Sequence, residues 1–136
     1  MKAITLHSLE IEAILKGASS LLVVIDESKI VDTIENYLKW DNEDVAIQNY
    51  SLLQVGDTFY VQGATIKDLV VESTEVKRVR DLSIYDARKL LGMNWIEVSE
   101  VSPSDWFNQI HGEGSYEANP YVFLINFKAK GEDNVR

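Results

Sequence analysis

The sequence predicts a single α+β domain whose strands gather into a curved sheet or small barrel. Three observations carry that reading. Strand-like segments outnumber long helical ones and do not alternate regularly with them, which argues against a doubly wound parallel sheet. The 136 residues fall within the range of one domain and suffice to bury a core without a disulfide or metal. No repeat, low-complexity tract or Pro/Gly linker divides the chain, whose only prolines are Pro103 and Pro120. The domain is expected over residues 1–130, with a loose tail over 131–136.

The elements follow from local pattern. Ser8 is expected to cap a helix over 9–16, where Ile11, Ile14 and Leu15 form one apolar stripe, Glu10 and Glu12 occupy the first turn, and Gly17 follows the end. Residues 21–25 read as a buried strand rich in β-branched side chains. Ser28 is expected to cap a helix over 29–40, followed by a charged loop over 41–44 and a short strand over 45–50. A turn over 54–57 leads to a strand over 58–61, and Gly63 marks the next turn. Residues 69–79 read as one strand, long enough to need a bulge. Ser83 caps a helix in which Ile84, Ala87, Leu90 and Leu91 share a face, and Gly92 ends it. A further helix starts at Ser102 and runs through Ile110, with Pro103 in its first turn. Gly112 and Gly114 bracket a turn, and residues 121–127 form a last strand apolar enough to be central.

Composition narrows the chemistry. Without cysteine, disulfides and thiolate metal sites are excluded. The N-terminal apolar stretch is too short for a signal-peptide core, and no apolar run approaches the roughly 20 residues of a membrane span. A cytoplasmic protein without membrane contact is the expectation. The formal charge is −9, which repels polyphosphates at long range. Residues 61–90 run against that trend, with six basic side chains facing five acidic ones.

Three segments in order carry a resemblance. They are Val55-Gly56-Asp57-Thr58-Phe59-Tyr60-Val61, then the run from Val79-Arg80-Asp81-Leu82-Ser83 through Ala87 with Gly92, and Asn119-Pro120-Tyr121 through Phe127. Ile4-Thr5-Leu6 and Leu15-Lys16-Gly17 add to them. Over roughly residues 3–128 the chain resembles the ASCH family, especially its small phage and prophage members. The resemblance implies a PUA-like fold, a small curved β-barrel flanked by short helices. It also implies binding of RNA or a nucleotide, and in one branch hydrolysis of acetylated cytidine. The family signature after the first helix is Gly-x-Lys-x-x-(Glu or Thr)-x-Arg. Lysine supplies a base or nucleophile, threonine or glutamate an attacking or proton-relaying oxygen, and arginine a two-pronged grip on phosphate or carbonyl. In this chain those positions are Ser19, Leu22 and Val24 after Gly17, and no basic residue occurs between Lys16 and Lys29. A non-catalytic binding module is therefore expected, with no cofactor and no metal.

The candidate ligand-binding residues are Lys77, Arg78, Arg80, Arg88 and Lys89, the one basic cluster, together with Ser19 and Ser20 beside the altered motif. Glu72, Glu75, Asp81 and Asp86 interleave with the cations, so a solvated, salt-bridged surface competes with a phosphate-binding one. Trp40, Trp95 and Trp106 are candidates for stacking on bases or for packing. Two alternatives remain open. An acidic phage or prophage factor would engage a basic host protein. A relocated acylated-nucleoside hydrolase would use groups such as Glu72, Glu75 or His7. Ser104, Asp105 and His111 contain triad residue types without a nucleophile-elbow motif, and Gly112-Glu113-Gly114 lacks the third glycine of a dinucleotide loop.

Overall fold

The computed structural model describes residues 1–26, 34–66 and 68–129. The expected cap at Ser28, residues 29–33 of the second helix and the tail over 131–136 lie outside them. Among the described residues five strands form one sheet: β1 (Lys2–Ile4), β2 (Ser20–Val24), β3 (Thr58–Val61), β4 (Leu69–Arg78) and β5 (Tyr121–Ala129). Their order is β1-β3-β4-β5-β2. Only β1 and β3 run parallel; every other pair is antiparallel. The α-helices of the described residues are α1 (Ser8–Leu15), α2 (Ile34–Lys39), α3 (Glu43–Tyr50), α4 (Ile84–Leu91), α5 (Trp95–Ser99) and α6 (Pro103–His111). The α+β class stands. Among the described residues β1 and β2 are the outer strands and are not paired with each other, so the sheet is open.

The sheet separates two apolar layers, and β5 supplies both. Its alternate residues Phe123, Ile125 and Phe127 enter the larger layer, while Val122 and Leu124 enter the smaller one. A strand buried on both faces reads as an unbroken apolar run, which is why residues 121–127 announce a central strand. The larger layer adds Ile34, Ile47 and Leu53 to Phe59, Val61 and Val71 from the sheet. The smaller layer joins Leu22 and Val79 to Leu90 of α4 and Phe107 of α6.

Strand β4 needs its bulge. Leu69 and Val71 face the larger layer, and strict alternation would next turn residues 73 and 75 inward. Val71 pairs with Phe127 and Ser73 with Asn126, so Glu72 is an extra residue. The parity changes there, and Val76 rejoins the same layer.

The expected caps are mostly present. Ser83 and Asp86 form a reciprocal capping box on α4, and Ser102 caps α6 with Pro103 as its first residue. Gly92 ends α4 at φ +63°, where an added Cβ would lie 2.6 Å from the Ala13 carbonyl oxygen. Two expectations fail. Residues 45–50 are helical in α3, not a strand, and α3 begins at Glu43 inside the expected charged loop. Glu43 and Asp44 favour a helix start, and the buried pair is Ala46 and Ile47, a spacing no strand face offers. Helix α1 is capped by His7 rather than Ser8: its Nδ1 accepts from Leu9 N–H, and Glu10 returns a bond to His7 N–H.

Candidate functional site

Within residues 17–24, where the resemblance puts the expected motif positions, Ala18, Ser20, Leu21 and Leu22 are buried and Gly17 and Val23 are exposed. Ser19 is fixed by its backbone, its N–H donating to the Lys89 carbonyl and its carbonyl accepting from Phe127 N–H. Ser20 is buried, and its hydroxyl donates to Asn126 Oδ1 at 2.5 Å while Asn126 Nδ2 donates to Ser73. Leu22 is 4% exposed and pairs across the sheet with Leu124. Val24 packs against the same smaller layer. The cleft here, bounded by Glu10, Ile14, Ser20, Leu22 and Trp106, holds about 10 Å³, room for one water at most. Burial raises the Glu10 carboxyl above its usual range, against the lowering pull of its bond to His7 and the His7 charge. Ser19 and Lys89 are thus brought together through the backbone, but the groove is filled by side chains.

The basic cluster divides on folding. Lys77 donates to Asp86 at 2.9 Å and also lies 3.9 Å from Glu75. Arg78 donates to Glu35 at 2.8 Å and to the Asn119 carbonyl at 3.0 Å, with its guanidinium 4.2 Å from the Tyr121 ring centre. Arg80 is exposed beside it, its backbone N–H held by the Asn119 side chain. Arg88 and Lys89 are exposed on α4. Lys77 and Arg78 are therefore largely neutralised in place, whereas Arg80, Arg88 and Lys89 make no side-chain ion pair among the described residues. The salt-bridged reading holds for two of the five cations.

The tryptophans take three different situations. Trp40 is exposed, with Lys39 over its ring. Trp106 packs against the smaller layer. Trp95 is 43% exposed and stands at the start of α5, an element the sequence reading passed over. Tyr85 stands perpendicular to it at 5.0 Å between ring centres, and Arg88 lies 4.6 Å from its ring centre. Tyr85, Trp95 and Arg88 thus form an exposed aromatic and cationic stack that joins α4 to α5. The missed signal for α5 was Asn94, whose side chain accepts from the N–H groups of Ile96 and Glu97 while Glu97 closes the capping box.

Behind this stack lies an apolar cavity of about 270 Å³. Leu82, Ala87 and Leu90 form one wall, Val98 and Val101 another, and Trp106, Phe107 and Tyr116 close the far side. It is partly open to solvent, with exposed Ile84, Ser83 and Pro103 on its lining.

The remaining candidates do not assemble. Glu72 lies 3.9 Å from Lys128, Glu75 is beside Lys77, and His7 is used as a helix cap. Ser104 shares a hydrogen bond with Ser102, while His111 stacks on Phe107 at 4.4 Å and its buried Nε2 has no hydrogen-bond partner among the described residues, so Ser104, Asp105 and His111 are not linked as a triad there. Burial, and secondarily the His7 charge, lower the His111 pKa. Among the described residues no group of three or more His, Asp or Glu could hold a metal, and no helix is long and apolar enough to cross a membrane. Comparison of the chain with protein-family models, curated proteins and solved structures found no match.

Proposed function

We propose that the chain is a non-catalytic binding module of ASCH-like, PUA-like build that holds single-stranded RNA or a nucleotide on the α4–α5 surface. The observation that carries this reading is the exposed stack of Tyr85, Trp95 and Arg88, with Lys89 on the same helix. Aromatic faces accept any base, and a neighbouring arginine and lysine track the phosphates. The replaced motif positions and the filled cleft beside Ser20 and Leu22 favour binding over hydrolysis. Arg80 is the third cation left available to phosphate, while Lys77 and Arg78 serve the fold.

The overall charge of −9 confines such binding to low salt and short contacts. Titration with a labelled RNA of about ten nucleotides, single-stranded DNA and duplex DNA tests it at about 50 and 200 mM salt. Binding should weaken with salt, and Trp95→Ala should weaken it by roughly tenfold, since base–aromatic stacking is worth about 1–3 kcal/mol. Absence of binding to all three at about 50 mM salt defeats the proposal.

A second reading rests on the same surface. Ile96 is 75% exposed beside Trp95, with Glu97 and Glu100 on the same short helix or at its end. An exposed apolar residue with two acids on the same short element suits a basic protein partner, such as a host factor met by a phage or prophage protein. Loss of a captured partner with Ile96→Ser, and not with Arg88→Ala, would favour this reading over RNA.

A further inference from the structure

We infer that the cavity between α4, α5 and α6 is a binding site for a small, neutral, mostly apolar molecule. This rests on the cavity itself and not on the RNA reading, because no cation takes part in it. Three observations argue for it.

The first is volume. Protein interiors are packed as tightly as organic crystals, and voids larger than a water molecule are few. The space between α4, α5 and α6 is of another kind, about 270 Å³ with mostly apolar walls and an opening to solvent through which a ligand can enter. An apolar cavity of about 150 Å³ accommodates benzene. The site therefore suits roughly ten to twelve heavy atoms, two fused rings or a medium-length aliphatic chain.

The second is the chemistry of the wall. None of the residues that line the cavity is charged. Aliphatic side chains such as Leu82, Leu90 and Val98 face the rings of Trp106, Phe107 and Tyr116. An anion or ammonium entering fully would lose its hydration with nothing to replace it. The formal charge of −9 adds a long-range penalty for anions. The polar side chains on the lining, Ser83, Ser99 and Tyr116 among them, offer a neutral hydroxyl or carbonyl a hydrogen bond without requiring charge.

The third is the construction of the frame. The cavity is held open by elements with independent anchors. Helix α4 is fixed at its start by the Ser83–Asp86 capping box and at its end by Gly92 against Ala13. Helix α6 is capped by Ser102, and Phe107 is 1% exposed. Helix α5 is capped by Asn94 at its own start, and Val98 anchors it from within. Walls secured separately resist collapse, so the space is preformed.

The test uses the full chain and three probes: 1-octanol, naphthalene and octanoate. Binding is followed by methyl shifts of Leu90, Val98 and Val101 and by calorimetry at about 50 and 500 mM salt. The neutral probes should bind with dissociation constants near or below roughly 100 μM, a modest efficiency for ten atoms. Their affinity should not respond to salt, and octanoate should bind at least about tenfold more weakly. Ala87→Leu places a larger side chain in the cavity; it should weaken the neutral probes by more than about tenfold and raise the melting temperature by a few degrees. If Ala87→Leu does not fold, Val101→Phe serves the same purpose from the opposite wall. Failure of both neutral probes to bind overturns the inference. So does unchanged affinity in a folded filled-cavity variant, or equal affinity for octanoate. Concentration-dependent self-association that the filled variant abolishes would assign the cavity to a second copy of the chain and likewise overturn it.

Discussion

Asp86 shows how a candidate binding site became part of the framework. Burial pushes its carboxyl up, but the hydrogen bonds from Ser83 and Lys77 and the Lys77 charge outweigh it and hold the pKa below the usual aspartate range. Lys77 is raised in turn, chiefly by its hydrogen bond to Asp86, against the lowering effect of its own burial. A carboxyl depressed on folding stabilises the protein above its unfolded pKa of about 4 and loses that contribution as pH falls through the folded value. An amine raised on folding contributes fully below its unfolded value of about 10.4 and loses it as pH rises through the folded value. The pair is therefore at full strength across neutral pH. Asp86→Asn keeps the shape and removes the charge. It should lower stability at pH 7 by about 1–2 kcal/mol, less than a fully buried pair because water reaches Lys77. That deficit should shrink as pH falls below about 4, where the aspartate of the unfolded chain protonates while the native one stays charged, and should vanish once pH passes below the depressed folded value. Urea titrations at pH 7, 5 and 3 check it, and a deficit constant across that range would show that charge is not the cause. The sequence marked Lys77 and Arg78 as cations but could not show that Asp86 and Glu35 claim them, because the Arg78 partner stands 43 residues away. The cavity was illegible for the same reason: its walls meet only in the folded chain.

The elements were legible wherever a terminal signal agreed with periodicity. Helix α4 has both Ser83 and Gly92, and its apolar face repeats at helical spacing. Residues 45–50 carry a weaker pattern, with Val45 and Ile47 alternating as a strand would, and the acidic first turn of α3 has the composition of a charged loop. Pattern length could not arbitrate between strand and helix over so few residues. The bulge in β4 was expected from length alone, and the structure supplies its reason, since Glu72 resets which residues face the larger layer. Removing that one residue should be far worse than changing it. Deletion of Glu72 forces either Leu69 and Val71 or Val76 to the wrong face and should cost at least about 3 kcal/mol. Glu72→Ala, which loses only a 3.9 Å surface contact with Lys128, should stay within about 0.5 kcal/mol. Thermal melts of the two variants followed by circular dichroism distinguish them, and comparable losses would mean the bulge does not set the register.

At the scale of the whole molecule, β5 is where the two apolar layers meet. It pairs with β2 over residues 122–126 and with β4 over nearly its full length. Val122, Leu124 and Ile125 are at most 1% exposed. Opening this strand exposes both layers at once, so its amides should exchange only through global unfolding. Strand β1 is the opposite case. It is three residues long and, among the described residues, lies at the sheet edge and pairs only with β3. It can separate without opening the smaller layer, to which it contributes nothing. Native-state hydrogen exchange should therefore rank the backbone N–H groups that β5 donates to its neighbours as the slowest in the chain. Amides bonded across the β1–β3 edge should exchange faster by at least about tenfold, equivalent to a local opening about 1.4 kcal/mol below the global one. Equal protection of β1 and β5 would mean that the edge and centre unfold together, and that the two layers do not confer separate levels of stability.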